Sequence, residues 1–388
     1  MKKVHFLANK TDIVNYSLTP LRYNKKALAE RGYKIKIFYT PTIKAMTCDI
    51  LCLISKPVLN MVGEKEPVCR ELGPTIAFII KTRKYAGKII WMDDSDSTGV
   101  THFELLPFVD LYLKKQLLKD KSLYRKEFYG GRIFTDYYNK RFKIEDSLPF
   151  NQFFPLDIEM SHKVSLSWNV GLGEVYDSFS RKGSFRRRVA DYLPVIYNIP
   201  FTKPTEERDV DFFLKASANH ARKTIAFHRQ KTIRRLNGLV NKETSIVGFA
   251  RDKFKSSEGC DDIFSPLKRG MVSLKTYRSF MKRSKIVPDP FSWGDINLKS
   301  YEAFIYGNLL LKPDISYLET WPALFVEGET YQPFSWDFED LESIVLDLLH
   351  DDKKRIRIAS NGQEAYRNAI SPAGMERFCD WFVQQIEK

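Results

Sequence analysis

Ser284-Lys285-Ile286-Val287-Pro288-Asp289-Pro290-Phe291-Ser292-Trp293-Gly294-Asp295-Ile296-Asn297-Leu298-Lys299-Ser300-Tyr301-Glu302-Ala303-Phe304-Ile305-Tyr306-Gly307-Asn308-Leu309-Leu310-Leu311 joins two apolar strands through one loop and one helix. The strands are Ser284–Val287 and Leu309–Leu311. A proline-bounded loop and a helix over 296–306 lie between them, and Gly307 ends the helix. Strand, helix, strand of this length is the unit of a parallel sheet, and ligands in such sheets sit at the carboxyl ends of the strands. That edge is here the loop Ser292-Trp293-Gly294-Asp295. Gly294 permits close approach of backbone. The first free N–H groups of the helix favour a phosphate oxygen.

The spacing places Asp295, Lys299 and Glu302 on one helical face, and Leu298, Tyr301 and Ile305 on another that packs on the sheet. Asp295 also reads as an N-cap, and Lys299 as its i,i+4 ion-pair partner. Glu302 lies inside an apolar run, and a carboxylate near a core needs a partner. Two ribose hydroxyls fit that need.

The same alternation extends outward. In the first hundred residues, Val4–Ala8, Lys34–Tyr39, Asp49–Ser55 and 89–92 read as strands, separated by helical stretches over 20–31 and 68–85. Val164–Trp168 is a further strand. A second block holds strands at Val210–Leu214 and Thr244–Phe249, a basic helix over 220–240, and helices over 341–349, 354–370 and 374–388. The segment 200–208, with Pro200 and Pro204, reads as the linker. The expected domains are residues 1–200 and 201–370, with 371–388 a last helix. Residues 114–154 show only weak periodicity and stay unassigned.

The helix–turn–strand Tyr301 to Pro313, with Glu302-Ala303 followed by Gly307, resembles the donor-site motif of glycosyltransferases with the GT-B fold. The following Glu319-Thr320-Trp321-Pro322 and Glu329-Thr330-Tyr331 resemble a bacterial "glycosyltransferase family 1" subgroup that serves cell-surface polysaccharide and lipopolysaccharide synthesis, with similarity to exostosin-like domains. The resemblance implies two tandem Rossmann-like domains facing a cleft. It also implies a nucleotide diphosphate sugar as donor, no required cofactor, and a glycan or lipid-linked glycan as acceptor. Glu302 would hold the donor ribose, and the last helix would return to the first domain. The family often has a second glutamate eight residues earlier; Gly294 stands there, with Asp295 beside it. Trp293 and Ser292 complete the donor loop. Lys215 and Arg222, flanking the turn before the basic helix, are the candidates for the donor diphosphate.

The strand over 89–92 runs into Asp93-Asp94-Ser95-Asp96, which belongs at the cleft edge. Asp94, Asp96 and His102 are the candidates for a base acting on an acceptor hydroxyl; capping and surface roles compete for each. Asp94-Ser95-Asp96 is also an Asp-x-Asp, the metal-holding pair of a GT-A-like transferase, which is the rival mechanism. Two glycine-bearing segments, Tyr129–Arg132 and Trp168–Gly173, read as turns first and cleft loops second. A third reading is a non-catalytic nucleotide- or nucleic-acid-binding protein.

Composition narrows the field. Of 388 residues, 43% are hydrophobic and 28% charged, ordinary for a globular chain, and the net charge is +14. The basic residues come in clusters, including Arg181–Arg188, which with Phe179 and Phe185 could dock on an anionic membrane. No nucleic-acid module is recognisable, so no nucleic-acid partner is expected. No signal peptide is visible or expected, and no apolar run of span length is seen. The cysteines, Cys48, Cys52, Cys69, Cys260 and Cys379, are odd in number and lack metal spacing, which points to free thiols, no zinc and the cytoplasm.

Overall fold

The computed structural model describes residues 1–9, 17–64, 72–147, 153–173, 175, 176, 185, 189, 199–216, 220–242, 248–251 and 273–388. Two parallel sheets stand in tandem. The first takes β1 (Lys2–Leu7), β2 (Tyr33–Phe38), β3 (Cys48–Ile54), β4 (Ala86–Asp93), β5 (Leu111–Lys114) and β7 (Val164–Leu166) in the order β2-β1-β3-β4-β5-β7. The second takes β8 (Val210–Lys215), β9 (Gly248–Arg251), β10 (Ser284–Pro288), β11 (Leu309–Pro313) and β13 (Gln332–Phe334) in the order β13-β11-β10-β8-β9.

Strands covered on both faces need apolar side chains on both, which is why these segments are near-continuous apolar runs. Alternate residues enter different cores. Val4, Phe6, Ile50 and Ile90 face a core continuous with Phe212, Ile286 and Leu310 of the second sheet. Leu51, Leu53, Ile89 and Trp91 face a separate core under the helix Gly73–Arg83 and the turn Phe103–Phe108.

Two further features tie the halves together. β6 (Gln116–Leu118) pairs antiparallel with β12 (Leu318–Thr320). The helix Pro372–Glu387 crosses back to the first sheet's side, where Arg31 meets Glu376 and Asp380 at 2.7 Å each and Lys2 meets Glu387 at 2.6 Å. Phe378 and Phe382 of that helix fill the shared core against Trp168 and Phe6.

Several elements differ from the sequence reading. The expected helix over 20–31 is two, Thr19–Tyr23 and Lys25–Glu30, because the Asn24 amide donates to the Pro20 carbonyl at 2.7 Å and interrupts it. The helix expected over 296–306 is Leu298–Ile305; its cap is Asn297, whose side chain accepts from Lys299 N at 2.9 Å. The unassigned 114–154 stretch supplies the last residue of β5, all of β6 and the helix Ile133–Phe142. Segment 200–208 is no free span. Thr202 N donates to the Ile305 carbonyl, and the Arg208 guanidinium donates to the carbonyls of Lys203, Lys282, Ser284 and Tyr306. Arg181–Arg188 apart from Phe185, and Cys69, Cys260 and Thr244–Val247, fall outside the described residues. Cys48, Cys52 and Cys379 are free and buried. Among the described residues no helix is long and apolar enough to cross a membrane.

Candidate functional site

The carboxyl edges of the two sheets face each other, and each edge is set by a buried acid–base pair. On the first, Asp93 ends β4 directly opposite Lys114 on β5. Its carboxylate accepts from Lys114 Nζ at 2.8 Å, Tyr112 OH at 2.5 Å and Ser95 N at 2.9 Å. Burial would raise this carboxyl, but Lys114 and His102 beside it and these hydrogen bonds hold it well below the usual range. On the second edge, Asp289 follows β10 and accepts from Lys312 Nζ at 3.1 Å, Ser300 Oγ at 2.5 Å and Asn297 Nδ2 at 2.8 Å. Again burial opposes the charge, while Lys312 and Lys299 keep the carboxyl low. Both loops that leave these pairs are therefore fixed at their base.

The loops lock onto each other. Asp295 accepts from Thr98 N at 2.9 Å, Thr98 Oγ1 at 3.0 Å, Gln116 Nε2 at 3.0 Å and Tyr317 OH at 2.5 Å. It is neither the cap of the helix nor the partner of Lys299; its carboxylate is occupied by Thr98 and Gln116 of the opposite half and by Tyr317 of its own. Gly294 is similarly placed. A Cβ there would lie 2.0 Å from the Asp96 carbonyl oxygen, so its missing side chain admits the backbone of residue 96. The close approach expected of a ligand is made by protein.

Two cavities flank this contact, and Asp96 and Trp293 line both. The smaller, about 240 Å³, lies between the ends of β3, β4 and β7 and the 292–298 loop, with Asp94, Lys115, Ser292 and Gly294 in its wall. The larger, about 380 Å³, opens on the other side among Lys56, Lys126, Phe128, Arg132 and Arg222. Gly130 and Gly131 bring the 126–132 loop into its wall with φ of +71° and +68°, a backbone that other residues rarely adopt. Of the two glycine-bearing turns, Tyr129–Arg132 thus borders the larger cavity, and Trp168 and Val170 border the smaller.

The carboxylates of the acidic cluster are separated in role. Asp94 accepts from Ser55 Oγ at 2.5 Å and Lys56 N at 2.9 Å, holding the start of the helix Ser55–Met61. Asp96 meets Lys56 Nζ at 3.1 Å and Lys115 Nζ at 3.2 Å, with its side chain still 46% exposed to the cleft. Desolvation works against its charge; Lys115 and Lys56 prevail and hold the carboxyl well below the usual range. His102 does not face the cleft. It is packed edge-on against Trp91 in the core of the first half, 3.9 Å from Asp93, and lines neither cavity.

A third group lies at the ends of β8 and β10. Tyr277 OH donates to Glu302 Oε2 at 2.6 Å, Lys215 Nζ sits over the Tyr277 ring at 5.1 Å, and Lys299 Nζ donates to the Lys215 carbonyl at 2.5 Å. Burial raises the Glu302 carboxyl, opposed by Tyr277 and Lys299. Burial, with Arg229 and Lys312 nearby, pushes Lys299 down to about 8, although Asp289 and Glu302 work the other way. Arg222 is elsewhere. It is 1% exposed, 3.5 Å from Asp146, and lies over the Trp293 ring. His220 meets that ring edge-on, and burial with Arg229, Arg132 and Arg222 around it pushes its imidazole down to about 4.

Sequence reasoning did not find Tyr277, Lys56, Lys115, Arg132 or Asp289. Asp289 stood in the quoted loop and could have been suspected as the residue ending a buried strand, and Arg132 closes the glycine-bearing segment Tyr129–Arg132 read as a turn first and a cleft loop second; Tyr277, Lys56 and Lys115 come from separate segments and carry no motif.

The profile of a family described as "Glycosyl transferase-like" matches residues 231–374. No curated protein matches the chain. Among solved structures, an α-glucosyltransferase in complex with UDP and a 13-mer DNA containing an HMU base is similar with a TM-score of 0.50 at 11% identity, covering 100% of both chains. A UDP-GlcNAc 2-epimerase from Neisseria meningitidis bound to UDP-GlcNAc gives 0.47 at 10% identity, over 99% of this chain and 100% of that one. TarM gives 0.47 at 10%, over 87% of this chain and 55% of that one. The fold is GT-B, and the glycosyltransferase-like match lies within the C-terminal half.

Proposed function

We propose that the protein transfers a hexosyl unit from a nucleoside diphosphate sugar to a hydroxyl of a glycan or glycolipid, in surface polysaccharide assembly at the cytoplasmic side of the membrane. The observation that carries this reading is the Glu302 carboxylate at the β8–β10 edge. Tyr277 holds Oε2, and among the described residues Oε1 has no hydrogen-bond partner. A carboxylate so placed accepts from ribose hydroxyls, and Lys299 beside it offers a cation to the diphosphate. The donor then runs from Glu302 past Lys299 and Arg229, with its sugar in the smaller cavity against Ser292, Trp293 and Gly294. The acceptor enters by the larger one, and the two meet at Asp96.

In the transfer, the acceptor oxygen bonds to the anomeric carbon and the bond from that carbon to the diphosphate oxygen breaks. The hydroxyl proton passes to the departing diphosphate or to solvent. A carboxylate held as low as Asp96 is a weak base. Its role in this reading is to accept the hydrogen bond of the acceptor hydroxyl and orient it, with Asp94 at the smaller cavity's edge. The two ammonium groups on Asp96 repel a divalent cation, which favours this reading over the metal-bridged one.

Glu302→Gln tests it. Volume and helix propensity hardly change, so the variant folds. Losing the charge costs about 1.5–3 kcal/mol, or about one to two orders of magnitude in affinity for a UDP-sugar. A folded variant that binds and turns over donor like the wild type sinks the reading.

A further inference from the structure

We infer that the larger cavity seats the acceptor and selects one whose sugar ring carries a phosphate. The inference rests on the glycosyl-transfer reading for its direction, since the cavity meets the donor side only at Asp96 and Trp293. Most of its wall comes from the first half of the chain, in the loops 95–101, 126–132 and 153–154.

The wall has a distinct chemistry. Lys56, Lys126, Arg132 and Arg222 bring four cations to a space of about 380 Å³. Two carboxylates share that wall, Asp96 and Glu127, and leave the cations in excess there. Asp96 pairs with Lys56 and with Lys115 outside the wall, and Asp146 receives Arg222 and Thr224. The Arg132 guanidinium donates to the Trp293 and Gly130 carbonyls, which fix it at 5.4 Å from the indole ring. Trp293 is thus flanked by Arg132 and Arg222, and burial, with the charges of Arg229, Arg132 and Arg222 added to it, holds the His220 imidazole beside it low. A neutral sugar has no use for such a field; a phosphate does, through charge-assisted hydrogen bonds. Phe128, Phe153 and Phe154, all half-buried, supply apolar faces for a ring. The volume suits one ring with its phosphate and lies at the small end of the usual ligand-site range of about 300–1,000 Å³. The phosphate is bound, not cleaved.

The test is equilibrium binding of glucose 1-phosphate and methyl glucoside to the full chain, with and without saturating UDP. Glucose 1-phosphate is expected to bind at least about tenfold more tightly than methyl glucoside, and to do so equally with UDP present. Lys126→Ala, at an exposed side chain on the cavity rim, is expected to weaken it by about threefold and to leave thermal stabilisation by UDP unchanged. The same headgroup on a polyprenyl chain in neutral phosphatidylcholine vesicles separates the sources. Tighter binding there assigns a lipid-linked acceptor, and equal or weaker binding a free one; both uphold the phosphate. Equal affinity for the two glucosides, displacement of glucose 1-phosphate by UDP, or tighter Lys126-dependent binding of a single-stranded oligonucleotide overturns the inference. Absence of any stabilisation by UDP would count against the donor reading instead.

Discussion

Asp93 with Lys114 closes the carboxyl edge of the first sheet, and Asp289 with Lys312 closes that of the second. Both lysines are fully buried, and both carboxylates have two further donors. The pairs differ in what they hold. Lys114 also donates to the Val100 carbonyl at 2.7 Å, so the first pair shapes the 93–101 loop that borders the larger cavity. The second pair takes its extra donors from Asn297 and Ser300, and so fixes the 289–300 loop and the helix that carries Lys299 and Glu302. In the proposed reading, a similar buried device thus positions acceptor-side backbone in one half and donor-side backbone in the other. Buried ion pairs contribute little net stability, but removing one partner strands a charge.

The largest effect expected from breaking this comparison is on stability. Lys114→Met and Lys312→Met should each destabilise by about 3–5 kcal/mol, read from urea unfolding. Where folding survives, the two part company. Lys312→Met weakens UDP binding because the donor loop loses its anchor, whereas Lys114→Met spares UDP and weakens glucose 1-phosphate. Identical ligand profiles in the two variants would refute the division of labour.

Gly294→Ala acts where the two loops meet. The added methyl cannot coexist with the Asp96 carbonyl at 2.0 Å, so the loops must part. Overpacking of this kind costs about 1–3 kcal/mol, and sugar transfer should fall by more than UDP affinity, because the cleft opens while the Glu302 cluster is untouched. Unchanged melting temperature and turnover would show that the loops separate freely.

The smallest effect is a pH dependence. Lys299 is lowered to about 8, so its charge, and with it its attraction for the diphosphate, fades as pH rises through 8. UDP affinity should weaken between about pH 8 and 9.5, by a few-fold, and Lys299→Met should flatten that limb. For stability the sign is opposite. The unfolded lysine keeps its proton to its ordinary value, so the folded state gains relative stability as pH rises above about 8. A wild-type UDP affinity flat to pH 9.5 would separate Lys299 from the donor.

How much was legible can be judged from particular residues. The strand Leu309-Leu310-Leu311 and the strand 89–92 were readable because burial on both faces demands continuous apolar residues. Glu302 stood out because a carboxylate inside Tyr301–Ile305 requires a partner. Asp295 was misplaced because its i,i+4 spacing to Lys299 is a local regularity, and the structure gives its carboxylate to Thr98, Gln116 and Tyr317 instead. His102 looked like a base from its position after an acidic cluster, yet the turn Phe103–Phe108 folds it into the core.

The sequence by itself determined the alternation of strand and helix, the parallel sheets, the carboxyl-edge loops and the helix that carries Glu302. These follow from periodicity and from capping and turn chemistry, which act over a few residues. Tertiary structure alone decided which loop meets which: Gly294 against Asp96, Asp295 against Thr98, Arg132 and Arg222 on either side of Trp293, and Tyr277 on Glu302. The contact of Asp295 with Thr98 joins residues 197 positions apart. No local pattern encodes these contacts, because Gly294–Asp96, Asp295–Thr98 and Arg132–Trp293 depend on how two separately folded edges come to face one another, and Arg222–Trp293 and Tyr277–Glu302 on how separate elements of the second half pack.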